Sequence, residues 1–312
     1  MKKVISYAPA SIGNLSVGFD LLGIALKPID NSLLGDEVVI EESKSTTHEL
    51  VVEGDYVHVL PQDVSKNIVY SCLQYFSDLG NDESKIRVTL RKNLPIGSGL
   101  GSSASSVVAA LTALNYYYNN ILSDDQLLQL MGQFEGQLSG SIHYDNITPS
   151  YYGGLQLSKN QKNITIPHFN HWYWVLAYSG VEIMTSTMRS VLPDTVSFNE
   201  SILFAQNLAY FIAASFNRNE QEALSVIKDN MIEPVRAPLI PQFNSLKSEF
   251  KRSFSHAVLG ISGSGPTVFA IALTLEEAKE IEQLCKTYYL KNDSGFTKIC
   301  QVDSAGAQVK DM

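Results

Sequence analysis

Cysteine is scarce and scattered. The chain has three, Cys72, Cys285 and Cys300, far apart and without a C-x-x-C spacing. That excludes a disulfide framework and a cysteine-built zinc site, and it points to a reducing compartment. Positive charge is also in short supply: 23 Lys and Arg stand against 32 Asp and Glu, a formal net charge of −9. Such a surface repels phosphate backbones and anionic lipid, so neither a nucleic-acid nor a membrane partner is expected. No apolar run approaches the length of a membrane span, and the stretch after the lysines of "MKKVISYAPAS" is too short for a signal-peptide core. A soluble, cytoplasmic protein is expected.

What is present describes a folded chain of 312 residues, 45% hydrophobic and 18% charged, long enough for two domains. The alternation in "DEVVIEE" and "KIRVTLRK" predicts strands, and the spacing in "NIVYSCLQYFSDLG" predicts a helix stopped by Gly80. Capping boxes pairing Ser123 with Gln126 and Thr274 with Glu277 predict two more helix starts. The polar "KNQKNITIPHFNH" gives way to the apolar "WYWVLAYSG". A boundary near residue 167 follows, dividing the chain into α+β halves at 1–167 and 168–312.

One stretch asks for chemistry. In "NLPIGSGLGSSASSVVAALTALN", Gly97, Gly99 and Gly101 precede Ser102, Ser103, Ser105 and Ser106, between a predicted strand and an apolar helix. Glycines let backbone approach a ligand, and the first amides of a helix attract an anion. The serines can cap the helix, bind phosphate oxygens or help hold magnesium, and position alone does not divide those roles. No lysine follows Gly101 as in a Walker A loop, the G-x-G-x-G spacing is not a dinucleotide fingerprint, and no G-x-S-x-G elbow occurs here or at Ser262 and Ser264. A loop that merely permits tight strand-to-helix packing is the competing explanation.

The stretch "PIGSGLGSSAS" resembles the phosphate-binding motif P-x3-G-L-G-S-S-A of the GHMP kinases, a family of small-molecule kinases. "YAPASIGNLSVGFDLLGIAL", "GSIHYDNITPSYYGGLQL" and "GISGSGPTVFAI" are similar, in order, to its homoserine-phosphorylating branch. The resemblance covers nearly the whole chain. It implies a two-domain α+β fold: an amino-terminal ATP-binding domain (1–167) with a left-handed β-α-β unit and a carboxy-terminal ferredoxin-like domain (168–312). It also implies ATP and L-homoserine as substrates, Mg2+ as cofactor, a homodimer, and a site between the domains.

Carried over position by position, the resemblance puts Pro95, Ile96, Gly97, Ser98, Gly99, Leu100, Gly101, Ser102, Ser103, Ala104 and Ser105 around the nucleotide phosphates, and Asn67 near its base. Glu135, with Ser103, is assigned to magnesium. Arg189 and Arg236 match arginines used on the substrate carboxylate, a task for which the guanidinium fork is suited. Asp20 matches an acid near the ammonium, and Asn14 and Asn146 match groups that orient the hydroxyl. His143, Thr185 and Gly263 are assigned to the substrate pocket. Where mevalonate kinase and galactokinase place a catalytic aspartate, this sequence has the amide Asn146, which is no general base. The resemblance implies a branch without a dedicated base, the hydroxyl proton passing to the γ-phosphate or to solvent, with the neighbouring Asp145 as the alternative base.

Each assignment has a plainer alternative. Arginines belong to surfaces, "NLSVGFD" makes an Asx turn, Asn67 caps a helix, and Glu135 sits on a solvated helix face. A mevalonate-type acceptor, a silent ATP or amino-acid sensor and a dimeric scaffold are the rival functions. The arginines that suit an amino acid and the retained glycine loop and glutamate argue against them.

Overall fold

A computed structural model of the chain describes residues 2–80, 85–140, 142–159, 161–254 and 257–312. The first half opens with β1 (Lys3–Pro9), the short β2 (Ser11–Gly13), β3 (Leu22–Pro28), β4 (Gly35–Glu42) and β5 (Glu49–Glu53). Helix α1 (Ile68–Gly80) leads to β6 (Ile86–Arg91), and the glycine loop leads to α2 (Ser102–Tyr117). Helices α3 (Asp124–Ser139) and α4 (Ile147–Tyr152) and strands β7 (Leu155–Lys159) and β8 (Lys162–Ile166) complete it. The second half runs β9 (Tyr173–Tyr178), α5 (Thr185–Ser190), α6 (Phe198–Phe216), α7 (Glu220–Val226), α8 (Glu233–Arg236) and α9 (Phe243–Ser253). It ends with β10 (Val258–Ile261), β11 (Val268–Ala272), α10 (Leu275–Tyr288), β12 (Phe296–Val302) and β13 (Gln308–Asp311).

Alternation decides the first sheet, ordered β13-β1-β4-β6-β5. Val4, Val38, Ile40, Val88 and Leu90 point from it to one core, where they meet Val107, Leu111 and Leu114 of α2. Helix α2 is apolar all round and accordingly buried on nearly every side, packed against β1 and β4 with α1 and α3 beside it. Strands β5 and β6 pair in parallel through α1, which is the β-α-β unit of the expected fold.

In the second sheet the order β10-β11-β9-β12 continues through β3, β7 and β8, with β2 on β3. Taken by itself, β9-β10-β11-β12 in the order second-third-first-fourth, with helices after the first and third strands, is the ferredoxin-like arrangement. Both faces are covered, which explains the unbroken apolar run "WYWVLAY". Trp174, Leu176, Phe269 and Ile271 face a core shared with Phe211 of α6, while Val175, Ala177, Val268 and Ala270 face Leu246, Phe250 and Ile281 of α9 and α10.

The 167/168 boundary falls in the connection between β8 and β9. Strand pairing crosses it twice, through β12 on β3 and β13 on β1, so the halves are stitched together by the chain's last strands. Ser123 and Gln126 form the full capping box. At α10 the Thr274 side chain caps as expected, but the Glu277 carboxylate accepts from the Leu273 amide instead of closing the box. A third box, Ser197 with Glu200, starts α6.

Candidate active site

The glycine loop ends in a helix whose first amides are left open. Gly101, not a serine, is the N-cap of α2, at φ 64°, and no side chain caps the helix. A Cβ there would lie 2.4 Å from Ser11 Oγ and 2.9 Å from Asn146 Oδ1, so glycine is required both by conformation and by space. The unpaired amides and the positive end of the helix dipole therefore face the cavity in front of it. That cavity measures about 420 Å3 and lies between the two halves.

The serine roles, open in the sequence, are divided by the structure. Ser103 Oγ donates to Glu135 Oε2 at 2.5 Å, bringing α2 and α3 together at the cavity wall. Ser102 Oγ donates to the Leu94 carbonyl at 3.2 Å, and Ser98 Oγ to the Pro95 carbonyl at 2.7 Å. Ser105 is fully buried; it donates to the Ala8 carbonyl and accepts from the Asp36 amide, pinning α2 to the sheet and leaving no hydroxyl for a phosphate. Pro95, Leu100 and Ala104 likewise lie behind the cavity lining, whereas Ile96, Gly97, Ser98, Gly99, Gly101, Ser102 and Ser103 form it. In α2 the helical period of about 3.6 residues keeps Ser102 and Ser103 at the cavity and carries Ala104 and Ser105 round to the protein side.

Beneath this loop lies a group that sequence reading missed. The Lys92 ammonium, 2% exposed, donates to Asp36, to the Ser102 carbonyl at 2.9 Å and to Ser106 Oγ at 3.0 Å. Asp36, in turn, accepts from the amides of Asn93 and Leu94. The network fixes the strand end, the loop and the first turn of α2 as one unit. Lys92 ends the predicted strand "KIRVTLRK", but its partner is 56 residues away in another strand.

At the other end of the cavity the residues come from four segments. The Arg189 guanidinium on α5 grips Asp20 through two hydrogen bonds, and His143 Nδ1 lies 3.6 Å from the same carboxylate. Buried Arg236 donates to the carbonyls of Met188 and Gly263. Both guanidinium groups stand over the Phe19 ring, at 5.7 and 5.4 Å, a cation–π platform that the sequence did not flag beside Asp20. Asn14 joins the halves: its Nδ2 donates to the Gly263 carbonyl at 2.9 Å, and its Oδ1 accepts from the Asp20 amide at 2.9 Å. The backbone at Asn14, Leu15 and Ser16 has φ of 72°, 48° and 58°, a strained turn that presents this side chain to both partners. Thr185 Oγ1 meets Ser264 Oγ at 3.3 Å.

Asp145 and Asn146 lie between these ends. Asn146 Oδ1 accepts from Ser11 Oγ at 3.0 Å, and its Nδ2 donates to Asp145 at 3.4 Å. Burial, then the nearby Asp20 charge, pushes the Asp145 carboxyl up to about 7 against the pull of Arg189 and Arg236. Burial likewise pushes Glu135 up to about 7, partly offset by the Ser103 hydrogen bond. Burial and then the charge of Arg189 lower Arg236 to about 10, so it stays a cation at neutral pH. Burial also lowers His143, with Arg189 acting in the same direction and Asp20 opposing. Asn67 lines the cavity and also caps α1, its Oδ1 accepting from the Val69 amide.

Among known proteins, the family description "GHMP kinases N terminal domain" matches residues 67–154, and "GHMP kinases C terminal" matches 212–290. A homoserine kinase of Buchnera aphidicola subsp. Cinara cedri (strain Cc) is 44% identical over 305 residues, 97% of this chain and 96% of its own. The crystal structure of a homoserine kinase from Cytophaga hutchinsonii superposes with a TM-score of 0.86 at 30% identity, covering 99% of this chain and 97% of that one. A mevalonate kinase from Methanococcus jannaschii shares the fold, with a TM-score of 0.70 at 18% identity over 96% of this chain and 98% of that one.

Proposed function

Because the chain belongs to the GHMP kinases, we propose that its cleft transfers the γ-phosphoryl group of ATP to the side-chain hydroxyl of L-homoserine, giving ADP and O-phospho-L-homoserine on the route to threonine. The observation that carries the reading is the pairing, in one cavity, of an uncapped helix N-terminus with the Asp20–Arg189 ion pair. The first suits the phosphates of a nucleotide. The second suits the two charges of an amino acid, with Arg189 and Arg236 on the carboxylate and Asp20 on the ammonium.

In the transfer, the homoserine oxygen forms a bond to the γ-phosphorus as the bond to the β–γ bridging oxygen breaks and ADP leaves. Such a reaction asks for positioning and charge neutralisation above all. The open amides at Ser102 and Ser103 hold the phosphates, and Asn67 sits at the base. Asn14 and Asn146 orient the hydroxyl, and His143, Thr185 and Gly263 shape its pocket. The hydroxyl proton has two acceptors in this arrangement: the γ-phosphate, and Asp145, whose burial keeps it half-ionised near neutral pH.

Magnesium belongs to the same proposal. Ser103 and Glu135 offer hard oxygen donors 2.5 Å apart beside the phosphate-facing helix end, a set suited to an ion that keeps waters and takes its other ligands from phosphates. When bound, it neutralises charge on the transferring phosphoryl group.

We further read the chain as a nucleotide-binding half (1–167) and a substrate-closing half (168–312) of a cytoplasmic homodimer. The three unpaired, buried cysteines support a reducing compartment. Among the described residues no helix is long and apolar enough to cross a membrane.

The test is magnesium-dependent ADP release from ATP with L-homoserine, L-serine, mevalonate or no acceptor, beside Glu135→Ala and Arg236→Ala. Stimulation by homoserine alone, lost in both variants, is expected. ATP binding with no acceptor-stimulated release would turn the reading into that of a sensor.

A further inference from the structure

Helix α6 has two apolar faces, and the fold uses one of them. Phe211, Ala214 and Ser215 are buried against the second sheet. The opposite side looks outward yet carries Phe198 at 78% exposure, Phe216 at 54% and Ile202 at 44%. Glu200 is the helix's one charged residue in nineteen, and its carboxylate is turned back to cap the Ser197 amide. At the chain's overall 18% charge, about three would be expected on a helix of that length. An outer face without charge is a face that something covers.

The order of side chains on that face says what covers it. Phe198, Ile202, Ala205, Ala209, Ile212 and Phe216 follow one another at spacings of four, three, four, three and four, the seam of a helix that packs against another helix; Ile212, at the inner edge of the seam, is half-buried and also touches the core beneath α6. Read from either end, the series is Phe, Ile, Ala, Ala, Ile, Phe. A second copy related by a two-fold axis runs antiparallel, so the palindrome sets Phe198 on Phe216 of the other copy, Ile202 on Ile212, and Ala205 on Ala209. Alanine at the centre lets the two axes approach, while the aromatic ends close the seam. A two-fold interface requires a surface that is complementary to itself, and this series is.

Size is consistent with that occupant. Nineteen residues make a helix ~28 Å long, and the outer half of such a cylinder offers roughly 450 Å2. Leu203 and Tyr210 widen the patch on one flank, and Ile164, 57% exposed on the neighbouring β8, extends it. Together these approach the roughly 800 Å2 that each partner gives to a stable interface. A lipid surface fits poorly, since the face lacks the basic residues that hold amphipathic helices on membranes and the chain carries −9.

We infer that α6 is the two-fold interface of this protein, its outer seam buried against the same seam of a second copy. The inference rests on the homodimer reading and adds the face on which it forms. The active-site cavity lies on other elements, so two complete sites remain open in the pair.

The experiment reads oligomeric state and pairing separately. Sedimentation of the full chain is expected to give a dimer, and Ala209→Glu, which sets a charge at the centre of the seam, a monomer that still phosphorylates homoserine. Phe198→Cys and Phe216→Cys proteins, whose native cysteines are all buried, are oxidised separately and then as an exchanged mixture. A disulfide-linked dimer in the mixture, and little in either protein alone, is the expected result. A dimer that ignores Ala209→Glu and does not cross-link in the mixture overturns the assignment of the face while leaving the homodimer standing. A monomeric wild type overturns both.

Discussion

Arg189 and Asp20, 169 residues apart in sequence, are locked together by Nη2 on Oδ1 at 2.7 Å and Nη1 on Oδ2 at 2.9 Å. Both side chains are about a quarter exposed, at the wall of the cavity. Without a ligand the site's charges therefore neutralise each other. In the proposed binding mode a zwitterion would part them at little cost, its carboxylate taking over Arg189 and its ammonium taking over Asp20. On the proposed binding mode a hydroxy acid would satisfy Arg189 but leave Asp20 without a cation, so the pair would act as a filter for amino acids.

Arg189→Met is accordingly expected to raise KM for homoserine about 10- to 100-fold, the size of one or two charged hydrogen bonds, with KM for ATP changed less than about twofold. Asp20→Asn should raise it as well, and should narrow the preference for homoserine over acceptors that lack the amino group. Steady-state kinetics with each substrate varied in turn checks both. Equal shifts for ATP and homoserine would mean that the pair organises the cleft and does not read the substrate.

Gly101→Ala tests the helix N-terminus. The alanine must adopt φ near 64°, which costs about 1–2 kcal/mol, and its methyl meets Ser11 and Asn146. Nucleotide affinity, measured by calorimetry with ADP, is expected to fall at least about tenfold, because the amides proposed to bind phosphate sit on the turn that has to move. Homoserine binding should change little. A variant with lower thermal stability and unaltered ADP affinity would separate the loop from the phosphates.

The strand, glycine loop and helix could be read from sequence because they are contiguous there. The arginines could be matched by family resemblance alone, since Arg189 acquires meaning only from Asp20 and Phe19, brought to it by the crossing of the two halves. Ser105 misled for the opposite reason. A serine cluster beside a glycine loop reads as ligand, but α2 is wrapped by protein and turns that hydroxyl to Ala8 and Asp36. Lys92 and Asp36 left no local trace at all, because an ion pair between two strands depends on register. The same holds for β12 on β3: pairings across so many residues are settled by the packing of the whole core.

Lys92→Met removes the cation under the phosphate loop and leaves the Asp36 carboxylate buried without it. A destabilisation of about 3–5 kcal/mol is expected by urea denaturation. Lys92→Met with Asp36→Asn should recover part of that, since the remaining amide has no charge to bury and can still accept from the Asn93 or Leu94 amide. If the double variant regains stability but keeps a raised KM for ATP, the ammonium's bond to the Ser102 carbonyl is what shapes the loop. Full recovery of both would reduce Lys92 to a counter-ion.

Asp145 links stability to catalysis through one proton. Its carboxyl titrates near 4 in the unfolded chain and at about 7 in the native one. Between those values the native state holds a proton that the unfolded state has lost, so ligand-free stability falls as pH rises through this window, by up to a few kcal/mol. Asp145→Asn should flatten the fall and melt higher than wild type at pH 8, with Glu135, shifted in the same direction, responsible for the slope that remains. The same variant decides where the hydroxyl proton goes. If Asp145 accepts it, kcat drops at least about 100-fold and the acidic limb near pH 7 disappears from the rate profile. If the γ-phosphate accepts it, kcat stays within about tenfold, because Asn14 and Asn146 still orient the oxygen and the introduced amide keeps the volume of the carboxyl. A large loss of rate that leaves the acidic limb in place would argue for a role in positioning Asn146, whose Nδ2 donates to the Asp145 carboxylate.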